Sequence, residues 1–330
     1  MSTQSRLFIH EVAPRDGFQI EPVFVPTDDK VALINALSRT GLAKIEVTSF
    51  TSPKAIPALA DAAEVMARID RVEGVEYAAL VPNLKGCERA LAARVDEINL
   101  VMSASETHNR ANLRMSPQAS LAQFAQVAAL ARGQAKVNAS LSTAFGCPFE
   151  GEVPETRIFE LVDAMAAMGI DRVTLCDTTG MAQPLQAARL CEAVQHRWPQ
   201  IAFTAHFHNT RGMGLANALA AWQVGIVRFD ASLGGLGGCP FAPGASGNVC
   251  TEDLVHMFQA MGLDTGVDLE TLVAQARRLP ALVDHAVPGQ VLRAGPSSRR
   301  HPPPQIEPDG AQVRLAGPAL DPACQARSTP

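Results

Sequence analysis

The chain has 330 residues, of which 47 % are hydrophobic and 18 % charged, so it can bury a sizeable core and is not expected to be disordered throughout. Its 28 Lys and Arg against 33 Asp and Glu give a formal net charge of −5. No run of five like charges and no long apolar stretch occurs, so we expect neither a nucleic-acid partner nor a membrane partner.

Short β-branched runs alternate along the chain with longer runs of 3.6-residue hydrophobic period. The predicted strands cover residues 7–12, 44–50, 76–82, 96–102, 136–145, 172–178, 201–208 and 226–233. The first predicted helix has Thr27 as its N-cap and stops at Gly41. The other helices are predicted at about 54–69, 84–94, 117–132, 154–168, 184–197, 212–224, 250–261 and 268–283.

Eight β-then-α units in series predict an α/β protein with a (β/α)8 TIM barrel, and the helix at 268–283 would be a short extra C-terminal segment. A doubly wound open sheet is the alternative. Such sheets usually carry G-x-G-x-x-G after the first strand, whereas this chain reads VAPRDGFQ there. The barrel is therefore favoured.

The composition changes at about residue 290. Eight of the 23 prolines lie in residues 290–330, and this segment shows no hydrophobic period. We therefore predict a barrel domain over residues 1–289, followed by a proline-rich disordered tail over residues 290–330.

The seven cysteines are odd in number and scattered without a C-x-x-C pair, which favours a reducing compartment over a disulfide framework. The first residues, MSTQSRLFIHEVAPRDG, read as neither a signal nor a transit peptide. The expected location is the cytoplasm.

Reactive side chains fall where predicted strands end, which is where barrels of this type carry their chemistry. They follow strands 1, 2, 6, 7 and 8, and they are Arg15, Asp16, Glu46, Asp177, His206, His208, Cys239 and Asn248. We expect these side chains to meet at one rim of the barrel.

His206 and His208 are two positions apart on a strand, so both would face the barrel mouth. With Asp16 and Asn248 they would suit Mg²⁺, Mn²⁺ or Zn²⁺. The alternative is that the two histidines are polar residues closing a strand. Arg15 could meet an oxyanion or enolate oxygen, or form a surface pair with Asp16.

Cys239 lies in a glycine-dense loop, GGLGGCP, which suits a mobile lid that carries a reactive thiol. A buried, inert cysteine is the alternative. We interpret Cys147, in FGCPFEG, as part of the loop structure after strand 5.

The chain resembles the 3-hydroxy-3-methylglutaryl-CoA lyase family over about residues 6–285. The resemblance is carried by PRDGFQ, IEVTSFTSPKAIPALAD, VPNLKG, SASETHNRANLR, FGCPFEG, CDTTGMA, HFHNTRG and LGGLGGCPFAPGASGNVCTEDL. Arg-Asp-Gly and H-x-H are shared with isopropylmalate-synthase-like and hydroxy-oxovalerate-aldolase-like barrels. The GGCP loop followed by ASGN points to the lyase branch.

The resemblance implies a divalent ion, Mg²⁺ or Mn²⁺, with ligands that match Asp16, His206, His208 and Asn248. It implies that Arg15 stabilises a thioester enolate and that Cys239 is a general acid on the mobile loop. Glu46 and Asp177 would support proton transfers, and His206 or a neighbouring carboxylate would take the hydroxyl proton.

An acyl-CoA thioester is the implied substrate: 3-hydroxy-3-methylglutaryl-CoA would give acetyl-CoA and acetoacetate, as in leucine degradation and ketone-body metabolism. A homodimer is also implied.

Several positions depart from the family's usual pattern, and they are Phe18, Ile20, Cys176, Thr179 and Asn209. A related thioester such as citramalyl-CoA therefore stays open as the substrate. Two further alternatives are a Claisen-type condensing synthase on the same rim and an inactive barrel that serves as a binding scaffold.

Overall fold

A computed structural model describes residues 6–238 and 247–302, together with the backbone of 305–306 and 313–314. Contacts divide the chain into two units, Met1–Ala294 and Gly295–Pro330. In the first unit, eight parallel strands close into a barrel in chain order. Strand β1 (Phe8–Glu11) pairs with β8 (Arg228–Ala231), a contact that an open sheet lacks, so the predicted TIM barrel is confirmed.

Strands and helices alternate around this barrel. Between β1 and β8 the strands are β2 Lys44–Ser49, β3 Glu76–Leu80, β4 Glu97–Ser103, β5 Lys136–Ser142, β6 Arg172–Asp177 and β7 Ala202–Phe207. The helices are α1 Thr27–Leu37, α2 Ala62–Arg68, α3 Leu84–Ala92, α4 Glu106–Leu113, α5 Pro117–Ala131, α6 Glu155–Ala167, α7 Pro184–Arg197, α8 Gly214–Gln223, α9 Thr251–Ala260, α10 Leu269–Ala276, α11 Leu279–Val283 and α12 Gln290–Ala294.

The predicted cap of the first helix is wrong. Pro26 occupies the N-cap position of α1, and Thr27 is already inside the helix. Its hydroxyl donates a hydrogen bond to the Asp61 carboxylate at 2.8 Å instead of capping the helix. The helix predicted at 54–69 is shorter than expected, because a 3₁₀ turn at Pro57–Leu59 precedes α2.

Two helices were not predicted from the sequence. Helix α4 is mostly polar, but the Ser105 side chain accepts a hydrogen bond from the His108 N–H and caps it. Helix α12 lies beyond residue 289, and the Asp253 carboxylate accepts hydrogen bonds from the N–H groups of Gln290 and Val291. The predicted extra segment at 268–283 consists of two helices, α10 and α11.

In the second unit, Gln305–Ile306 pairs antiparallel with Val313–Arg314. Residues Gln290–Ala294 form α12, and the disorder expected for residues 290–330 stays a prediction for the residues that follow that helix. Among the helices of the described residues, none combines the length and the apolar character that a membrane crossing needs.

Two buried carboxyl groups join the ends of β1 and β8 beneath the barrel mouth. Glu11 accepts hydrogen bonds from the N–H groups of Ala13 and Leu233 and from the Thr251 hydroxyl. Glu252 accepts one from the Gly234 N–H. Burial raises the pKa of Glu11 to about 7 and that of Glu252 to about 8, so Glu252 stays mostly protonated at neutral pH whereas Glu11 titrates there.

The raised pKa of Glu252 predicts a pH-dependent stability. Between pH 4.5 and about 8 the folded state keeps the Glu252 proton, whereas the unfolded chain has lost it. The stabilisation that the protonated carboxyl gives the folded state is therefore lost as pH rises through this range. Glu252→Gln keeps the neutral form. From pH 6 to pH 9 the variant should gain about 2–3 kcal/mol of unfolding free energy relative to wild type. Urea unfolding at both pH values measures it.

The exposed Glu192→Gln on α7 is the matched control and should follow wild type at both pH values. A Glu252→Gln difference that stays constant from pH 6 to pH 9 would contradict the assignment.

Candidate functional site

Arg15 and Asp16 reach the barrel mouth through a local irregularity after β1. Residues Ala13–Gly17 form one turn of π-helix, in which the N–H groups of Arg15, Asp16 and Gly17 all point to the Val12 carbonyl. Such turns are rare and often lie at functional sites. This turn buries both charged side chains at the carboxyl end of the barrel.

Asp16, His206 and His208 form a cluster with the composition of a metal site. One ligand atom from each residue lies within 4.8 Å of the other two. The two imidazole rings have centroids 5.3 Å apart, whereas Phe207, between them in sequence, packs against the Phe145 ring. Strand alternation therefore places both histidines on one side, as the H-x-H spacing predicted.

Asn248 is held beside this cluster by backbone pairing. It forms an isolated antiparallel bridge with His208, and its amide nitrogen donates to Asp16 Oδ2 at 2.7 Å and to the Leu236 carbonyl at 2.9 Å. Its Oδ1 is buried and has no hydrogen-bond partner among the described residues. A buried oxygen without a donor costs free energy, so a cation ligated at this point would satisfy it.

Asp230 is a site residue that the sequence did not reveal. It lies on β8, where Oδ1 is 2.9 Å from His10 Nδ1 and Oδ2 is 3.4 Å from His206 Nδ1. The contact with His206 leaves the Nε2 atom of that ring for a ligand. Burial lowers the pKa of His206, but the hydrogen bond and charge of Asp230 together with Asp16 outweigh it and raise that pKa.

Glu46 is the partner of Arg15. Arg15 Nε and a terminal nitrogen lie 2.7 and 2.6 Å from Glu46 Oε2, and the other terminal nitrogen donates to Asp16 at 2.7 Å. Asn99 donates to Glu46 Oε1 at 2.8 Å. Burial opposes the charge on Arg15, but Glu46 and Asp16 raise its pKa, so a fixed cation stands beside the cluster.

The two carboxyl oxygens of Asp177 differ in their hydrogen bonding. Oδ1 accepts hydrogen bonds from the N–H groups of Met181 and Ala182, at 2.8 and 3.0 Å. Oδ2 is buried without a partner among the described residues. Burial, only partly offset by these bonds and nearby cations, raises the pKa of Asp177 to about 7. Asp177 can therefore exchange a proton near neutral pH.

The predicted acid, Cys239, lies outside the described residues. Gly237, two positions earlier, is described, and its backbone passes directly over the cluster with φ +90°. Cys147 is buried, with its Sγ 2.9 Å from the Ser105 hydroxyl and accepting from the Phe149 N–H. These contacts agree with its interpretation as loop structure.

The positions that depart from the family pattern have local explanations. The Asn209 amide oxygen accepts a hydrogen bond from the Gly214 N–H at the start of α8, so it keeps an acceptor there. The Thr179 hydroxyl donates to the Gly146 carbonyl. Ile20 is largely exposed and Phe18 is buried. Cys176 is buried, and it pairs in register with His206.

The position of Gly237 predicts that a substitution there disturbs the cluster. A Cβ there would lie 2.7 Å from Asn248 Nδ2 and 2.9 Å from Asp16 Oδ2. Gly169 has a similar φ of +80°, but a Cβ there would meet nothing within 4 Å. Both Gly→Ala changes should cost about 1–2 kcal/mol of stability from the left-handed backbone. Only Gly237→Ala should also weaken Mn²⁺ binding, by tenfold or more, in calorimetric titration.

Equal Mn²⁺ affinity in Gly237→Ala and Gly169→Ala would show that the 237 backbone does not shape the cluster.

Comparison with known proteins gives one family. The chain matches the HMGL-like family over residues 6–279. It is 47 % identical over 299 residues to a hydroxymethylglutaryl-CoA lyase of Bacillus subtilis, covering 90 % of this chain and 100 % of that protein. It is 42 % identical over 299 residues to an (R)-citramalyl-CoA lyase of Chloroflexus aurantiacus, covering 87 % and 94 %.

A solved structure of an HMG-CoA lyase from Acinetobacter baumannii, in complex with coenzyme A and 3-methylmalate, has a TM-score of 0.89 and 50 % identity to this chain. The match covers 92 % of this chain and 100 % of the solved chain. Because one family accounts for nearly the whole barrel, the chain belongs to the HMGL-like family.

Proposed function

We propose that the protein is a divalent-metal-dependent carbon–carbon lyase that cleaves 3-hydroxy-3-methylglutaryl-CoA into acetyl-CoA and acetoacetate. The observation that carries the proposal is the juxtaposition of Asp16, His206 and His208 with the buried cation of Arg15. The similarity to hydroxymethylglutaryl-CoA lyases along nearly the whole chain supports the reaction class.

The donor set suits a divalent cation. It offers one carboxylate and two imidazoles close together, and the buried Oδ1 of Asn248 stands beside them without a described partner. Mg²⁺ or Mn²⁺ bound there would act as a Lewis acid toward the substrate hydroxyl and carbonyl oxygens. The chain's own contribution is to hold this donor set rigidly through Arg15, Gln19 and Asp230.

We assign removal of the hydroxyl proton to Asp177. His206 contacts Asp230 through Nδ1 and would use Nε2 as a ligand, so it has no nitrogen left for a proton. Asp177 Oδ2 is without a described partner, and burial raises the pKa of this carboxyl to about 7. A base with that pKa can accept a proton at neutral pH and release it afterwards.

Bond cleavage then follows from the positions of charge. As the C3 hydroxyl loses its proton, C3 becomes the ketone of acetoacetate and the C2–C3 electron pair passes to C2. The resulting thioester enolate carries its negative charge on the carbonyl oxygen, where the fixed guanidinium of Arg15 can stabilise it. Glu46 holds Arg15 by two contacts, and we propose this positioning as its part in the reaction.

Protonation of C2 completes acetyl-CoA, and we propose Cys239 as the acid. Cys239→Ser should lower kcat by about 10²- to 10⁴-fold, the range for loss of a general acid, because a hydroxyl is a far weaker acid than a thiol. Mn²⁺ affinity should stay near wild type. Cys324→Ser, in the predicted tail, is the matched control, and a Cys239→Ser enzyme with wild-type kcat would remove the thiol from the mechanism.

A thioester panel tests the activity and the substrate together. Chelated protein should be inactive, and added Mg²⁺ or Mn²⁺ should restore acetyl-CoA release from 3-hydroxy-3-methylglutaryl-CoA. Citramalyl-CoA has one methylene less in its acyl chain, a difference worth roughly 10- to 200-fold in kcat/KM. His208→Ala should lose Mn²⁺ binding and cleavage together.

Absence of cleavage across the panel would refute the lyase, whereas a kcat/KM that favours citramalyl-CoA would refute the proposed substrate alone.

The proposed setting is a reducing one. Five cysteines are described, all buried and none in a disulfide: Cys87, Cys147, Cys176, Cys191 and Cys250. They support the proposed cytoplasmic location. We also propose that the protein forms a homodimer, and this proposal rests on the family resemblance alone.

A further inference from the structure

The opposite end of the barrel carries a ring of charged residues. Six of the eight strands begin on a charged residue, and because all strands are parallel these residues share the amino-terminal end. We call them the basal ring, and they are Lys44, Glu76, Glu97, Lys136, Arg172 and Arg228. Four cations face two carboxylates, which leaves a surplus of positive charge.

Three of the four cations form ion pairs with the two carboxylates. Glu97 lies 2.5 Å from Lys44 and 2.7 Å from Arg172. Glu76 lies 2.6 Å from Arg172 and 2.5 Å from Lys136. In the described chain, no ion pair joins either carboxylate to the fourth cation, Arg228.

Arg228 is half-buried without an acidic partner among the described residues. Its guanidinium lies over the Phe8 ring, 5.1 Å from the centroid. Burial and the neighbouring charge of Arg172 lower the pKa of Arg228, with Glu76 opposing. Asp230, two residues further along β8, is engaged by His10 and His206. An anion bound beside this half-buried, unpaired guanidinium would stabilise its charge.

A recess is present where an anion could bind. A cavity of about 240 Å³ opens at this end, and its charged lining is four cations, Arg6, Lys44, Arg172 and Arg228, against one carboxylate, Glu76. Concave walls of low dielectric concentrate the field of such a cluster. Guanidinium groups bind the oxygen pairs of phosphate or carboxylate through parallel N–H donors.

We propose that the amino-terminal mouth of the barrel binds a small, doubly charged oxyanion, held mainly by Arg228 and Arg172. The site lies at the opposite end of the barrel from Asp16, His206 and His208. It is independent of the proposed lyase activity, because none of the groups assigned to catalysis lines it. Bound anion would stabilise the fold by mass action, since the unfolded chain has no such cavity.

Thermal unfolding of the full chain with Mg²⁺ tests the site, with inorganic phosphate as the probe and NaCl holding the ionic strength constant. Phosphate should raise the midpoint saturably, by roughly 2–4 °C. Arg228→Gln should abolish this rise and, without phosphate, should be no less stable than wild type because it removes an unpaired cation. The exposed Arg132→Gln is the matched control and should keep the rise.

Three outcomes would overturn the proposal. Chloride could produce the same rise, or Arg228→Gln could retain the rise while lowering the phosphate-free midpoint, which would mean that Arg228 only packs on Phe8. The rise could instead vanish in His208→Ala, which would place the phosphate at the carboxyl end of the barrel.

Should Arg228→Gln fail to fold, Arg228→Lys keeps the positive charge but lacks the paired N–H donors of the guanidinium. Calorimetry of this variant should then show several-fold weaker phosphate binding.

Discussion

The carboxylate of Asp16 is the group on which the candidate site depends. Its two oxygens accept hydrogen bonds from Arg15, Gln19 and Asn248, and it lies within ligand reach of His206 and His208. These partners come from three separate parts of the chain. One negative charge therefore fixes the Arg15 cation and the candidate metal donors in a single arrangement. Burial opposes that charge, but the surrounding cations and the Asn248 hydrogen bond lower the pKa of Asp16.

The geometry around Asp16 is maintained by buried acids rather than by apolar packing alone. Glu11 joins the turn after β1 to the segment after β8, and Glu252 holds the next residue of that segment at Gly234. The segment then continues to Gly237, which has no room for a side chain against Asp16 and Asn248. Two buried carboxyl groups with raised pKa values thus position the strand ends that carry the candidate site. The candidate site lies at the carboxyl end of the barrel, where proteins of this fold carry their chemistry.

The sequence predicted those features that depend on local periodicity. Strand alternation placed His206 and His208 on one face, and the series of eight units gave the barrel. Asp230 was missed because its partner His10 is 220 residues away and is brought near only when β8 closes on β1. Helix α4 was missed because its capping serine, not an apolar face, defines it. The basal ring was missed as well, since a charged residue at a strand start resembles ordinary solvated surface.

Asp230 also supports the proposal that Asp177 carries out the proton transfer. A histidine can serve as a base only through a nitrogen that is free of other bonds. In this barrel one nitrogen of His206 faces Asp230, and the other would be a ligand. The same carboxylate contacts His10, which lines the cavity at the opposite end. Burial and the charge of Lys44 lower the pKa of His10 to about 4, so the link carries no second positive charge into the core. Asp230 therefore keeps its negative charge directed at His206, which would make that ring a stronger metal ligand and, in the proposed mechanism, leave proton transfer to Asp177 on the neighbouring strand.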